Sequence, residues 1–502
     1  MTARRLDKRA NLASIHDGSR TLDGVSPEDL EALEAALLGR LVLPGDTGYP
    51  DATRQANPLF TRKPFAIAFC EHETDVRTCI LWARRLGLTL TARSGGHSTA
   101  GYSVADGTLT VDLSGLDCVA VDPERMVARV GPGTDFGRLN HILDQHGLHV
   151  PGGACEQVCV AGFSQGGGFG FTSRAFGMNC DNVREVVLLD CEGRRLRANA
   201  RENADLFWAV RGGTGGNFGV VVEIAYQLHP LASAWGFKLR WDLDHAPAAM
   251  AMMQAQYMRG GAPASIGYMT FVIGTKGPPA LYMRGMCTSG RDTGLAALAP
   301  LQATPGAMLE DEKTAPYGVL NIWLTDDLAP KNLAVARELK VSNYIDRPLG
   351  EAGWQRVLEP FRALPGFPAA SANTLTLEPY GGVIASGGAQ AHNAFIHRGV
   401  DMDFAIDSFY GNLGEAPAAA AWMQIYTDFL RTGPSPVGNG HVYQNYPEAG
   451  LDDYASAYFG SAYQRLREIK TRYDPPQLPH YPSGFFHFPQ SVTPLTDSSE
   501  GA

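Results

Sequence analysis

One stretch restricts what this chain can fold into more than any other: Arg93-Ser94-Gly95-Gly96-His97-Ser98-Thr99-Ala100-Gly101. Two adjacent glycines let the backbone turn tightly and bring its amide groups up to an anion, as a nest cradling a diphosphate requires. His97 stands at the end of that nest, where a cofactor would lie. A Gly-Gly-His tripeptide alone is better read as a strand-to-loop turn with a hydrogen-bonded histidine. The flanks carry it further. Pro64 to Cys70 reads as a strand, Thr74 as the cap of a helix with Val76, Ile80 and Ala83 on one side, and Leu88 to Ala92 as the next strand. This strand, helix, strand and loop unit puts the glycines where a strand opens onto a ligand.

A second stretch, Pro151 to Gly170, is dense in glycine and contains Cys155. No charge falls between Gln157 and Thr172, so the segment reads as a buried wall whose backbone can lie against a flat ring without side chains intervening. No Gly-x-Gly-x-x-Gly follows a strand and opens a helix, and Gly212-Gly-Thr-Gly-Gly-Asn-Phe-Gly219 lacks that spacing. A Rossmann nucleotide site is therefore disfavoured. After Pro230 the chain alternates strands (Gly236 to Trp241, Ile266 to Ile273, Leu281 to Cys287, Thr374 to Leu377, Phe404 to Phe409) with alanine-rich helices such as Ala248 to Tyr257 and Ala418 to Leu430. That pattern reads as an antiparallel sheet with helices on one face.

Several ordered motifs resemble the berberine bridge enzyme-like oxidases of the vanillyl-alcohol oxidase superfamily. They are the Arg93 stretch, Cys155 followed by Val160-Ala-Gly-Phe-Ser-Gln-Gly-Gly-Gly168, Arg174-Ala-Phe-Gly-Met-Asn-Cys-Asp-Asn182, the Asn203 to Val220 run, and His441-Val-Tyr-Gln-Asn-Tyr446. The resemblance implies an α+β fold: a two-lobed FAD-binding domain, residues 1–232 and 436–502, around a substrate domain, 233–435, whose antiparallel sheet is covered by helices. It implies FAD held covalently by His97 at the flavin 8α-methyl and by Cys155 at C6. It also places Arg93, Ser94, Gly95, Gly96, Ser98, Val158, Gly162, Gly219 and Val220 at the cofactor. Two departures, Ala462 where the family has asparagine and the extra residues Gln477 to Phe486, bear on packing at the C-terminus.

The resemblance implies an oxidase that converts a hydroxyl of a sugar, oligosaccharide or natural-product scaffold to a carbonyl or lactone. Such a step needs a base near the ring, because the hydroxyl proton must leave as the hydride does. Tyr446, from the Tyr-x-Asn-Tyr match, is the first candidate. Tyr380 in Leu377-Glu-Pro-Tyr-Gly-Gly-Val383 is its expected helper, since a tyrosine ionises only beside a donor or positive field. Tyr443, three residues before Tyr446, would point to the opposite face of an extended chain. Asp403 and Asp407 are further acids on a neighbouring strand. Thr99 marks the microbial branch, and Val158 is the smaller oxygen-gating residue, which implies molecular oxygen as acceptor and hydrogen peroxide as product. Oxidative ring closure or carbon-carbon or carbon-nitrogen bond formation by the same flavin is the alternative. A non-catalytic flavin-binding protein is a third reading.

Composition removes other classes. Of 502 residues 44% are hydrophobic and 19% charged, and the net charge of −10 opposes a nucleic-acid surface. Eight cysteines show no metal-ligand spacing, so no metal is expected. No stretch approaches the roughly 20 apolar residues of a membrane helix. The start, Met1-Thr-Ala-Arg-Arg-Leu, lacks a signal peptide's apolar core, which reads as cytoplasmic, or as secreted if a leader has been removed. The expected partners are a small-molecule substrate and oxygen. Trp241, Tyr268, Tyr282, Trp323 and Tyr410 are candidates to stack on sugar faces, and at strand spacing they suit a core equally well.

Overall fold

Strands largely buried on both faces build the first sheet: β1 (Arg40–Val42), β2 (Ala66–Phe69), β3 (Leu90–Arg93) and β4 (Leu109–Asp112). The computed structural model describes residues 25–274, 278–328, 336–363, 372–386, 392–476, 483–487 and 489–495; the polar start to residue 24 and residues 477–482 of the expected insertion lie outside them. The order is β1-β2-β4-β3, with β2 and β3 both parallel to β4. Parallel neighbours need a crossover, and helix Glu73–Arg85 supplies it, burying Val76, Cys79, Ile80 and Ala83 on one stripe. Its cap is His72 rather than the expected Thr74: His72 Nδ1 accepts the Thr74 amide at 3.3 Å, so Thr74 lies inside the first turn.

The second sheet is antiparallel. It contains β5 (Val119–Asp122) and β6 (Val127–Val130), and, beyond the short β7 (Leu148–His149), β8 (Val183–Leu189), β9 (Arg195–Asn199) and β10 (Val220–Gln227). The order is β5-β6-β10-β8-β9, and β7 pairs with β11 (His229–Pro230). Helix Phe136–Asp144 packs Phe136, Leu139 and Leu143 into this sheet's core. The returning C-terminal helix Tyr463–Tyr473 joins the same core through Leu466 and Ile469, with Ala462 buried beside it.

Between these parts lies a seven-stranded antiparallel sheet made of β12 (Ala234–Asp242), β13 (Ile266–Gly274), β14 (Ala280–Cys287), β15 (Met308–Ala315), β16 (Arg337–Ile345), β17 (Ala372–Pro379) and β18 (Met402–Tyr410). The order is β15-β12-β14-β13-β17-β18-β16. One face packs Phe237, Leu239, Trp241, Phe404 and Ile406 against helices Ala246–Met253, Arg291–Gln302, Gly350–Arg362 and Ala416–Thr427. Trp241 and Tyr268 belong to that core. The two edge strands, β15 and β16, break the apolar alternation by which the other strands are legible: β15 is mostly exposed, and β16 turns Glu338 and Lys340 to the opposite face.

That opposite face meets the segment that follows helix Val160–Gln165 at very short range. A Cβ on Gly267 of β13 would lie 1.6 Å from the Phe171 carbonyl oxygen, so only glycine lets the sheet dock here. Gly267→Ala is expected to cost at least about 1–3 kcal/mol through overpacking. A lowered denaturant midpoint with unchanged slope is the expected observation.

Candidate active site

The nest begins where β3 ends. Arg93 is turned away from the space it was expected to line: Nε pairs with Asp112 Oδ2 at 2.6 Å and Nη1 donates to the Ala52 carbonyl at 2.6 Å. Asp112 is its register partner on β4, so the arginine is spent inside the sheet and anchors the loop rather than meeting an anion. Beyond it the chain opens onto a cavity of about 710 Å³ lined by Ser94, Gly95, Gly96, His97 and Ser98. Gly96 has φ +68°, the left-handed region, and a Cβ on Gly95 would sit 2.9 Å from Cys159 Sγ. Backbone conformation and packing therefore demand both glycines. Ser98 Oγ closes the turn by accepting the Tyr102 amide.

His97 Nδ1 lies 3.1 Å from the Gly95 carbonyl, and burial lowers the affinity of the ring for a second proton. A carbonyl only accepts, so the neutral ring carries its proton on Nδ1 and its lone pair on Nε2. Cys155 lines the same cavity with Sγ 3.2 Å from Gln157 Oε1, and burial pushes its thiol up. Val158, Gly162, Gly219 and Val220 line it as well. Helix Val160–Gln165 presents Gly162 bare: a Cβ there would meet nothing within 4 Å, so packing does not require the glycine and its open side faces the cavity. The buried Gln444 Oε1, also on the wall, has no partner. A glycine nest, a bare backbone wall and an unused acceptor suit an elongated ligand with an anionic middle and a flat ring. FAD fits these residues.

The far wall is the free face of the seven-stranded sheet. Strand alternation brings Met269, Phe271 and Ile273 of β13 onto it, then Thr374, Thr376 and Glu378 of β17, Asp407 and Phe409 of β18, and Glu338 and Lys340 of β16. Tyr446 completes it and donates to Glu378 Oε1 at 2.6 Å. Burial and the adjoining Glu378 charge hold the Tyr446 hydroxyl well above its usual range. Burial also raises Glu378, to about 7, against the opposing pull of Tyr446 and Lys340. Lys340 lies 4.4 Å from the centre of the Tyr446 ring, pairs with Asp407 and stands 3.3 Å from Glu338 Oε1. Burial raises Glu338 likewise to about 7.

Three expectations need correction. Tyr380 is fully buried off the cavity wall, stacked on Phe169 with its hydroxyl 3.1 Å from that of Tyr344, so the group beside Tyr446 is Glu378 instead. Tyr443 does not point to the opposite face. The Tyr446 amide donates to the Tyr443 carbonyl at 2.8 Å, which bends the segment into a turn and sets the two rings 5.0 Å apart on the same wall. Tyr443 is nevertheless committed to the scaffold, its hydroxyl accepting the Gly168 and Phe169 amides. Finally, none of Trp241, Tyr268, Tyr282, Trp323 and Tyr410 lines the cavity. Its aromatic side chains on the sheet are Phe271 and Phe409.

Glu378, Glu338, Lys340 and Asn57 were not singled out from the sequence. Glu378 sits inside the quoted Leu377-Glu-Pro-Tyr run, and a glutamate one residue before a strand's end, between apolar neighbours, was the available signal. Asn57 clamps the site by donating to the Thr99 and Glu338 carbonyls. No helix among the described residues is long and apolar enough to cross a membrane. No group of three or more His, Cys, Asp or Glu among them is arranged to hold a metal ion.

Comparison with known proteins gives two family matches, an FAD binding domain over residues 64–199 and a berberine and berberine-like segment over 442–493. An uncharacterized FAD-linked oxidoreductase of Bacillus subtilis is 25% identical over 468 residues, covering 92% of this chain and 98% of that one. A carbohydrate oxidase of Microdochium nivale is 27% identical over 504 residues, covering 92% and 95%. The solved structure of the wild-type BBE-like 1 protein of Physcomitrella patens superposes with a TM-score of 0.80 at 25% identity, covering 93% of this chain and 99% of that one.

Proposed function

This chain is a berberine bridge enzyme-like FAD oxidase, and from that premise we propose that it oxidises a hydroxyl-bearing carbon of a sugar or natural-product scaffold and reduces oxygen to hydrogen peroxide. The observation that carries this reading is the hydrogen bond from Tyr446 to Glu378 on the wall of the cavity that His97 and Cys155 also line. When bound, FAD supplies the hydride acceptor and the route for electrons to oxygen. His97 and Cys155 are the residues that would tether it, and Ser94 to Ser98, Gly162, Gly219 and Val220 those that would lie along it.

The chain's own task is the proton. A substrate hydroxyl beside Tyr446 gives its proton to the phenol oxygen while the phenol proton passes to Glu378 Oε1, so neither a free alkoxide nor a free phenolate has to form in a buried site. Glu378 must be a carboxylate to accept, and its proton affinity near neutrality lets it do so at physiological pH. The Lys340 ammonium over the Tyr446 ring favours the negative charge that builds there during transfer. Val158 leaves room for oxygen where a larger aliphatic side chain would narrow the approach.

Met269, Phe271, Ile273 and Phe409 make one side of the substrate space apolar, and no tryptophan lines it. That favours an apolar scaffold bearing a hydroxyl over a long sugar chain, and it keeps oxidative ring closure on such a scaffold as the second reading. A panel of sugars, benzylic and alicyclic alcohols and hydroxylated amines is tested for anaerobic bleaching of the flavin, followed by admission of air. Bleaching by a hydroxyl compound, with recovery of colour and release of one peroxide per turnover, is the expected result. Recovery only with an artificial acceptor and no peroxide overturns the oxidase assignment.

A further inference from the structure

Behind Glu378 lies a second carboxyl group with nothing to do in the scheme above. Asp403 on β18 is the direct register partner of Glu378 on β17 and of Tyr344 on β16. It is 0% exposed, and neither carboxyl oxygen has a hydrogen-bond partner. Glu378 Oε2 is also buried and without a partner, its other oxygen being taken by Tyr446. Two acids thus face each other across an antiparallel pair, where Cβ atoms stand about 4.5–5.5 Å apart. Three acceptor oxygens thus share a space in which no side chain among the described residues is hydrogen-bonded to them, the Phe404 backbone amide being the donor that acts on Asp403.

Two buried, unpaired negative charges at that spacing are not tolerable. Lys340 is the cation whose field reaches Asp403, and it is already paired with Asp407 and held near Glu338. Tyr344 and Tyr380 share one hydrogen bond, which leaves one of their two hydroxyl protons over, and Tyr443 keeps its own while accepting backbone amides; none of the three is hydrogen-bonded to Asp403 or to the free oxygen of Glu378. The remaining groups of the cluster, Glu338 and Asp407, are acids. Burial and the nearby Glu378 charge raise the Asp403 carboxyl well above its ordinary range.

We propose that Asp403 is carried as a neutral acid and serves as a positioning residue, its O–H directed to the free oxygen of Glu378 so that the two carboxyl groups hold one negative charge between them. The inference rests on the reading of Glu378 as proton acceptor. The donated hydrogen bond offsets the burial of Glu378 and keeps it a carboxylate at neutral pH. When the substrate proton arrives through Tyr446, the pair passes from one negative charge to none and never carries two.

The test uses the flavin-loaded protein and three variants, Asp403→Asn, Asp403→Ala and Glu378→Gln. Its first readout needs no substrate. A carboxyl group that binds its proton more tightly folded than unfolded stabilises fully below its unfolded value, about 3.9, and loses that stabilisation as pH rises. Asparagine carries no such dependence, so the thermal midpoint of Asp403→Asn is expected to gain on the parent steadily between about pH 5 and 9. A constant offset over that range means that Asp403 is merely a structural residue and overturns the proposal.

The second readout is the acid limb of anaerobic flavin bleaching. Asp403→Asn keeps a donor and is expected to hold the limb within a few tenths of the parent. Asp403→Ala removes it and is expected to move the limb upward by about one pH unit, a tenfold change in proton affinity. An unmoved limb in Asp403→Ala also overturns the proposal. Parental bleaching in Glu378→Gln instead overturns the reading of Glu378 as acceptor, whatever the midpoints of the Asp403 variants show.

Discussion

Glu378→Gln slows flavin reduction by substrate roughly a hundred- to ten-thousand-fold, the range associated with loss of a positioned acid or base. The glutamine side chain still reaches Tyr446, so binding and flavin content stay near the parent's. What disappears is the site that receives the phenol proton at 2.6 Å. The pH dependence has a definite sign. Glu378 has a folded proton affinity near 7, above the ordinary glutamate value, and accepts only when ionised. The reduction rate of the parent therefore rises as pH rises through about 7, while the stability contributed by this carboxyl group runs the other way, fully present below the unfolded glutamate value of about 4.3 and lost as pH rises from there to about 7. Stopped-flow bleaching across that window checks both the size and the direction. Tyr446→Phe removes the same relay from its other end and is expected to show a loss of similar order.

The second large effect lies far from the sheet. Lys470 is 0% exposed and pairs with the equally buried Asp474 at 2.6 Å, while its remaining protons go to the carbonyls of Asn217 and Phe486. Asp474 in turn accepts the Phe485 and Phe486 amides. This one ammonium thus ties the returning helix to the glycine loop that ends at Gly219 and to the C-terminal segment. Lys470→Met leaves the Asp474 charge buried without its cation, and breaking a buried pair in this way costs about 3–5 kcal/mol. Denaturant unfolding reads the loss directly, and flavin content is expected to fall with it because Gly215, Gly216 and Gly219 line the cavity. Adding Asp474→Leu is expected to restore part of the stability, since two uncharged partners leave nothing unpaired. An unchanged midpoint in Lys470→Met contradicts this account of the C-terminal latch.

What could be read from the sequence was what local chemistry decides. The Gly95-Gly96 nest, the helix Glu73–Arg85 and the strands β2 and β3 follow from glycine freedom and from residue spacing, and the structure has them within a few residues of expectation. What could not be read depends on contacts between distant segments. Glu378 and Tyr446 are joined only because β17 and the returning loop meet on one wall, and no periodicity announces that. β16 went unseen because the face it turns to the cavity carries Glu338 and Lys340, so the strand that matters most to the site looks least like one. Arg93 misled for the opposite reason. A basic residue beside a nest suggests an anion, yet its cross-strand neighbour Asp112 had already claimed it. Tyr443 failed on a turn: alternation holds for extended chain, and the bond between Tyr446 and Tyr443 shows the segment is bent.

The central claim is that the cavity holds one flavin from two sides, through His97 and Cys155. The intact mass of the acid-denatured chain tests it most directly, measured for the parent, His97→Ala, Cys155→Ala and the double variant. The account predicts a gain of one FAD in the parent and in each single variant, with a changed visible spectrum in both, and the bare chain mass in the double variant. A parent that sheds its colour on denaturation and weighs only its polypeptide contradicts it.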